Sequence, residues 1–142
     1  MSDLYDTDIL LWSEQQADLL RRLAAGERIN DSAIDWPNIA EEIEDVGRSE
    51  LRSCRSLLRQ ALRHLLKAEA WPLSRDAPTW RADAVDFRRQ ARDAFTPSMR
   101  QRIDVASLYA DALASLPETM DGLPPSPIAN EIPTLDELLG EP

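Results

Sequence analysis

Apolar residues recur with a helical period along most of the chain. The pattern is clearest between Asp35 and Trp71. Turning about 100° per residue gathers Ile39, Ala40, Ile43, Val46, Gly47, Leu51, Cys54, Leu57, Leu58, Ala61, Leu62 and Leu65 on one arc. That is the signature of an amphipathic helix rather than a strand. Asp35 is a natural N-cap, and Pro37 fits the first turn because its missing N–H is not needed there. No further proline interrupts the stretch before Pro72. The pattern predicts one helix of roughly 34 residues, about 50 Å long. Gly47 costs about 1 kcal/mol relative to Ala in a helix interior, so a kink or the close approach of another backbone is expected there.

Shorter elements flank it. Ile9, Trp12, Leu19, Leu20 and Leu23 predict a first helix that begins near Asp6 to Asp8 and stops at Gly26. The two prolines of PLSRDAP end the long helix. Thr79 is placed to cap a third helix carrying Trp80, Ala84, Phe87, Ala91 and Phe95. Thr96-Pro97 opens a fourth, which carries Met99, Ile103, Ala106, Tyr109, Ala110 and Leu113 and ends before Pro117. Beyond it, Leu123-Pro124-Pro125-Ser126-Pro127 reads as an extended arm. Thr134 to Glu137 has the capping-box pattern of a short terminal helix. The expected fold is all-α: an irregular bundle of about four main helices around one long central helix. A single domain spans 1–142, with a helical body at 1–116 and the arm 117–142 packed on it.

Charge adds detail to the long helix. Glu41, Glu42, Glu44 and Asp45 precede Arg52, Arg55, Arg59, Arg63 and Lys67, an order that complements the helix macrodipole. Glu44 and Arg48 form an i,i+4 pair in the favourable order. Arg55, Arg59, Arg63 and Lys67 form a row of like charge, which is unfavourable alone. An acidic helix of the same molecule is therefore expected beside it, in preference to a phosphate or nucleic-acid surface.

Two further residues on this helix invite a chemical role. Glu50 falls inside the apolar arc, where a carboxylate needs a partner. It is expected to be buried and paired with an arginine, with Arg81, Arg88, Arg89 and Arg92 available. His64, the only histidine, lies at the arc's edge one turn before Lys67. Arg48, Glu50, His64 and Lys67 form the candidate polar cluster, although packing roles for each are the default.

The order AEEIEDVGRSE, then HLLK, then a Trp-Pro segment and Thr79-Trp80-Arg81, resembles the bacterial domain of unknown function 29 family. The opening YDTDILLWSEQQADLLR resembles it too, so the likeness spans nearly the whole chain. The resemblance implies an all-helical soluble bacterial protein. It carries over no activity.

Composition narrows the function classes. A formal net charge of −10 argues against nucleic-acid or anionic-membrane binding. One cysteine excludes an internal disulfide and any multi-cysteine metal site. No apolar run approaches the roughly 20 residues that span a bilayer. The acidic N-terminus lacks the basic region of a signal peptide, so cytoplasmic residence is expected. No Gly-rich phosphate loop, nucleophile triad or Glu-x-x-His motif occurs, and no catalytic residue, cofactor or metal is assigned. The leading expectation is a non-enzymatic helical protein that binds itself or another protein. An overlong helix and the small-residue stripe Ala40, Gly47, Cys54, Ala61, Ala68 suit helix-on-helix contact. A homodimer would cover the stripe Leu58, Leu62, Leu65 and Trp71. The alternative is a small enzyme or ligand-binding domain built on Glu50, His64 and Lys67.

Overall fold

The structure, a computed structural model, describes residues 3–129 and 131–140. Asn130, Glu141 and Pro142 of the expected arm lie outside the described residues. Among the described residues six α-helices follow in order: α1 (Asp3–Thr7), α2 (Ile9–Ala24), α3 (Trp36–Ala70), α4 (Ala77–Ala94), α5 (Val105–Ala114) and α6 (Leu135–Leu139). Short 3-10 turns occupy Asp31–Ala33 and Pro97–Arg102. Among the described residues no strand forms, and the fold is all-α around one long helix, as the periodicity predicts.

The chain clusters into two compact units, Met1–Arg48 and Ser49–Pro142, with α3 running through both. In the first unit, Asp8 caps α2 by accepting from the Leu11 N–H. Gly26, at φ +86°, ends it in the left-handed conformation that favours glycine. The Trp12 indole donates to Asp35 Oδ2 at 3.0 Å, and the Asp35 N–H donates to the Gln16 amide oxygen at 2.8 Å. These bonds tie the start of α3 to the middle of α2. Tyr5 packs edge-on against Trp12 with centroids 4.8 Å apart.

The second unit holds most of the core. Cys54, Leu58, Leu62 and Leu66 of α3 meet Ala91 of α4, Met99, Ile103, three residues of α5 and both terminal leucines of α6 in one buried cluster. The small residues Cys54, Ala61 and Ala68 of the predicted stripe are buried here, and Cys54 Sγ lies 3.5 Å from the Ala91 carbonyl. The arm crosses this unit. Ser126 N–H donates to the Ala70 carbonyl at 2.7 Å, and the Trp71 indole donates to the Leu123 carbonyl at 3.1 Å. At its end the capping box of Thr134 and Glu137 starts α6, and Gly140 at φ +72° stops it. Arg88 donates to the Leu138 and Glu137 carbonyls and Arg92 to those of Leu139 and Gly140. These arginines thereby satisfy the orphan carbonyls at the helix end.

Three expectations need correction. The fourth helix does not start at Thr96-Pro97. That stretch forms a 3-10 turn, Ile103 is extended, and α5 starts only where the Asp104 carboxylate accepts the Ala106 and Ser107 N–H groups. The competing cap breaks the segment in two. The third helix starts earlier than Thr79, at Ala77, because Pro78 is tolerated in a first turn. Gly47 neither interrupts α3 nor admits another backbone: it is exposed, and a Cβ built there meets nothing within 4 Å. Gly47→Ala is therefore expected to stabilise the protein by about 1 kcal/mol, read as a higher denaturation midpoint. A lower midpoint would show that the bare backbone is needed.

Candidate functional site

The four residues of the predicted cluster do not meet: Arg48, His64 and Lys67 take separate partners, and Glu50 stands apart. Arg48 belongs to the first unit, where its guanidinium lies 2.7 Å from Glu41, 2.5 Å from Asp45 and 3.6 Å from Glu44. It holds together the acidic turns of α3. In the same unit the Tyr5 hydroxyl donates to Glu42 Oε1 at 2.5 Å. That hydrogen bond, reinforced by partial desolvation and the charges of Glu42, Asp45 and Glu41, pushes the phenol up to about 12.

In the second unit, Glu50 is exposed and has no ion-pair partner among the described residues, which overturns its expected burial beside an arginine. The arginines expected to neutralise it are engaged elsewhere, Arg88 and Arg92 at the end of α6 and Arg89 with Asp86. The physical reason lies in α4, which runs antiparallel to α3. Ala91 meets Cys54, and α4 ends at Ala94, so its cover runs out before the turn that carries Glu50.

His64 is half-buried. Its Nδ1 donates to the Gln60 carbonyl at 2.8 Å, its Nε2 lies 3.9 Å from Asp83, and its ring leans on Phe87. Lys67 places Nζ over the Trp80 ring, 4.6 Å from its centroid. Desolvation, helped by the Arg63 charge and opposed by Asp76, lowers its pKa. Glu50 and His64 are fourteen residues apart on one helix, about 21 Å along its axis. The arrangement therefore does not bring a carboxylate, an imidazole and an amine to one point.

Several concave surfaces occur among the described residues instead. In the first unit a shallow apolar groove of about 260 Å³ runs between α2 and the early turns of α3, lined by Ala17, Leu20, Ile39, Ile43 and Val46 among others. Of these, Leu20 lies on the predicted apolar row of α2 and Ile39, Ile43 and Val46 on the predicted arc of α3, whereas Ala17 is not picked out by the sequence pattern. In the second unit a pocket of about 550 Å³ opens where the arm crosses the end of α3, between Trp71, Leu73, Met120, Leu123 and Pro124. A third groove, of about 500 Å³, lies between α3 and α5 and is lined by Arg52, Ser53, Arg55, Ser56, Arg59, Leu108 and Asp111. It realises the like-charge row, but the neighbouring helix brings one carboxylate rather than an acidic face. Arg63 and Lys67, the other members of the row, pair with the Ser115 hydroxyl and the Trp80 ring.

The family profile described as Domain of unknown function DUF29 matches residues 4–141. The chain belongs to the DUF29 family. Its fold is shared by a solved relative, described as an alpha-helical protein of unknown function from Rhodospirillum rubrum, whose crystal structure is at 1.45 Å resolution. That protein is 33% identical, with 99% of this chain and 92% of that one covered, at a TM-score of 0.68. No curated protein matches the chain. As a member of this family the chain takes its fold from its relatives, but neither description names an activity. Among the described residues, no helix is long and apolar enough to cross a membrane, and no group of three His, Cys, Asp or Glu side chains is placed to hold a metal ion.

Proposed function

We propose that this DUF29 chain is a non-enzymatic interaction protein of the bacterial cytoplasm that pairs with a second copy of itself through the apolar face of its Met1–Arg48 unit. The observation that carries this reading is the poor cover of that unit. Among its described residues only Trp12, 4% exposed, and Ile34 are buried apolar side chains, whereas Ile43 is 68% exposed and Val46 66%. Ile9, Leu10, Leu11 and Trp36 are also exposed. A unit below about 50 residues rarely holds itself together on so small a core, and a contiguous apolar face usually marks an interface.

A second copy is the occupant that fits. A helical hairpin with one apolar groove is complementary to its own two-fold mate, and two such hairpins make a four-helix arrangement. Of the stripe expected to drive pairing, Leu58, Leu62 and Trp71 are buried within the chain and only Leu65 is exposed, at 36%, so the pairing surface moves to the other end of α3. The acidic composition and the relative from Rhodospirillum rubrum support the bacterial and cytoplasmic parts of the reading. The alternative, a site built on Glu50, His64 and Lys67, draws no support from the exposed Glu50 or from the separate partners of His64 and Lys67.

Light scattering at micromolar concentration tests the proposal. The expected mass is twice the 16.0 kDa of the chain. Ile43→Glu with Val46→Glu, both at exposed positions, is expected to return a helical monomer. A wild-type monomer that persists on concentrating, or a dimer indifferent to both substitutions, overturns it.

A further inference from the structure

The groove between α3 and α5 gathers three arginines and one carboxylate in its lining. The chain has 26 acidic residues against 16 basic ones, so carboxylates outnumber cations overall. Arg22, Arg48, Arg89 and Arg100 take acidic partners, and Arg88 and Arg92 take carbonyls. Arg52, Arg55 and Arg59 do not: no ion pair forms to any of them among the described residues. They sit at i, i+3 and i+7 on one flank of α3, a spacing that sets like charges against one another. Across from them α5 contributes only Asp111, and the buried Leu108 floors the groove. Three guanidiniums therefore face one carboxylate in a space of about 500 Å³, with the Ser53 and Ser56 hydroxyls beside them.

We propose that this groove binds a small phosphate-bearing molecule, with Arg52, Arg55 and Arg59 as its ligands. The guanidinium fork matches phosphate oxygens two at a time. Three forks exceed what a single carboxylate can use, and a phosphate ester or diphosphate supplies the charge to satisfy them. The volume lies in the range of small-molecule sites. A nucleic acid fits less well: phosphate tracking needs an extended basic surface, and a chain of net charge −10 repels a polyanion outside the groove. Asp111 then acts as a brake on affinity, because its carboxylate repels an anionic ligand in the same groove.

Calorimetric titration of the full chain with sodium pyrophosphate in low-salt buffer tests this, with inorganic phosphate and a single-stranded oligonucleotide as parallel arms. Saturable pyrophosphate binding at one site per chain is expected, with weaker binding of inorganic phosphate. Arg55→Gln with Arg59→Gln, at exposed positions that leave the core intact, should weaken it by about tenfold or more, which is about 1.4 kcal/mol. Asp111→Asn should tighten it several-fold, an effect that a purely solvated arginine face would not show. Thermal melts of both variants confirm that they remain folded. Absence of saturable binding at millimolar pyrophosphate, binding indifferent to the arginine substitutions, or oligonucleotide binding that pyrophosphate fails to displace, each overturns the proposal.

Discussion

A chain cut after Leu116 is expected to lose the cooperative thermal transition of its Ser49–Pro142 unit. The arm removed by the cut supplies Leu138 and Leu139, 2% and 1% exposed and part of the main core cluster. Loss of a buried leucine side chain costs about 2–5 kcal/mol, more where the cavity cannot collapse. The same cut removes the acceptors of Arg88 and Arg92, the Leu123 carbonyl that takes the Trp71 indole, and the Ser126 N–H that meets the end of α3. Each of these part-buried or exposed hydrogen bonds adds about 0.5–1.5 kcal/mol. Against a total stability of about 5–15 kcal/mol for a typical domain, these losses are comparable to the whole. Near-UV dichroism of the tryptophans followed through a thermal melt gives the readout. A sharp transition at the wild-type temperature in the cut chain would mean that the arm only lies on a self-sufficient body.

The arm's design is partly visible in sequence. Prolines at 124, 125 and 127 exclude a helix, and the Thr134–Glu137 spacing announces the terminal helix with its cap. Its anchors are less visible. Arg88 and Arg92 look like a solvated basic face in sequence, because a guanidinium that donates to backbone carbonyls leaves no acidic partner in the pattern to find. The same limit hides the groove of Arg52, Arg55 and Arg59. The i,i+4 row is legible, but which element lies across it is a tertiary fact, and α5 turns out to offer only Asp111. The length of α3 was legible from its unbroken period, whereas its cover was not. Periodicity reports which face is apolar, and only the end points of neighbouring helices determine how far along that face the core extends.

Leu58 and Glu50 make that distinction measurable, since both lie on the apolar arc of α3. Leu58 is 0% exposed, at the centre of the cluster that joins α3, α4, α5 and α6. Leu58→Ala is expected to cost about 2–5 kcal/mol by loss of transfer energy and by the cavity left behind. Glu50, two turns earlier, lies beyond the reach of α4, is exposed, and has no ion-pair partner among the described residues. Glu50→Ala removes no buried pair, so the roughly 3–5 kcal/mol penalty of breaking one does not apply. Alanine is also the better helix former, so the stability change is expected to stay within about 0.5 kcal/mol of zero, as at other surface sites. Chemical denaturation of the two variants side by side separates the cases. A large loss for Glu50→Ala would place a partner over that turn of α3, such as a second copy of the chain. Parity between the two variants would show that the core does not stop where α4 does.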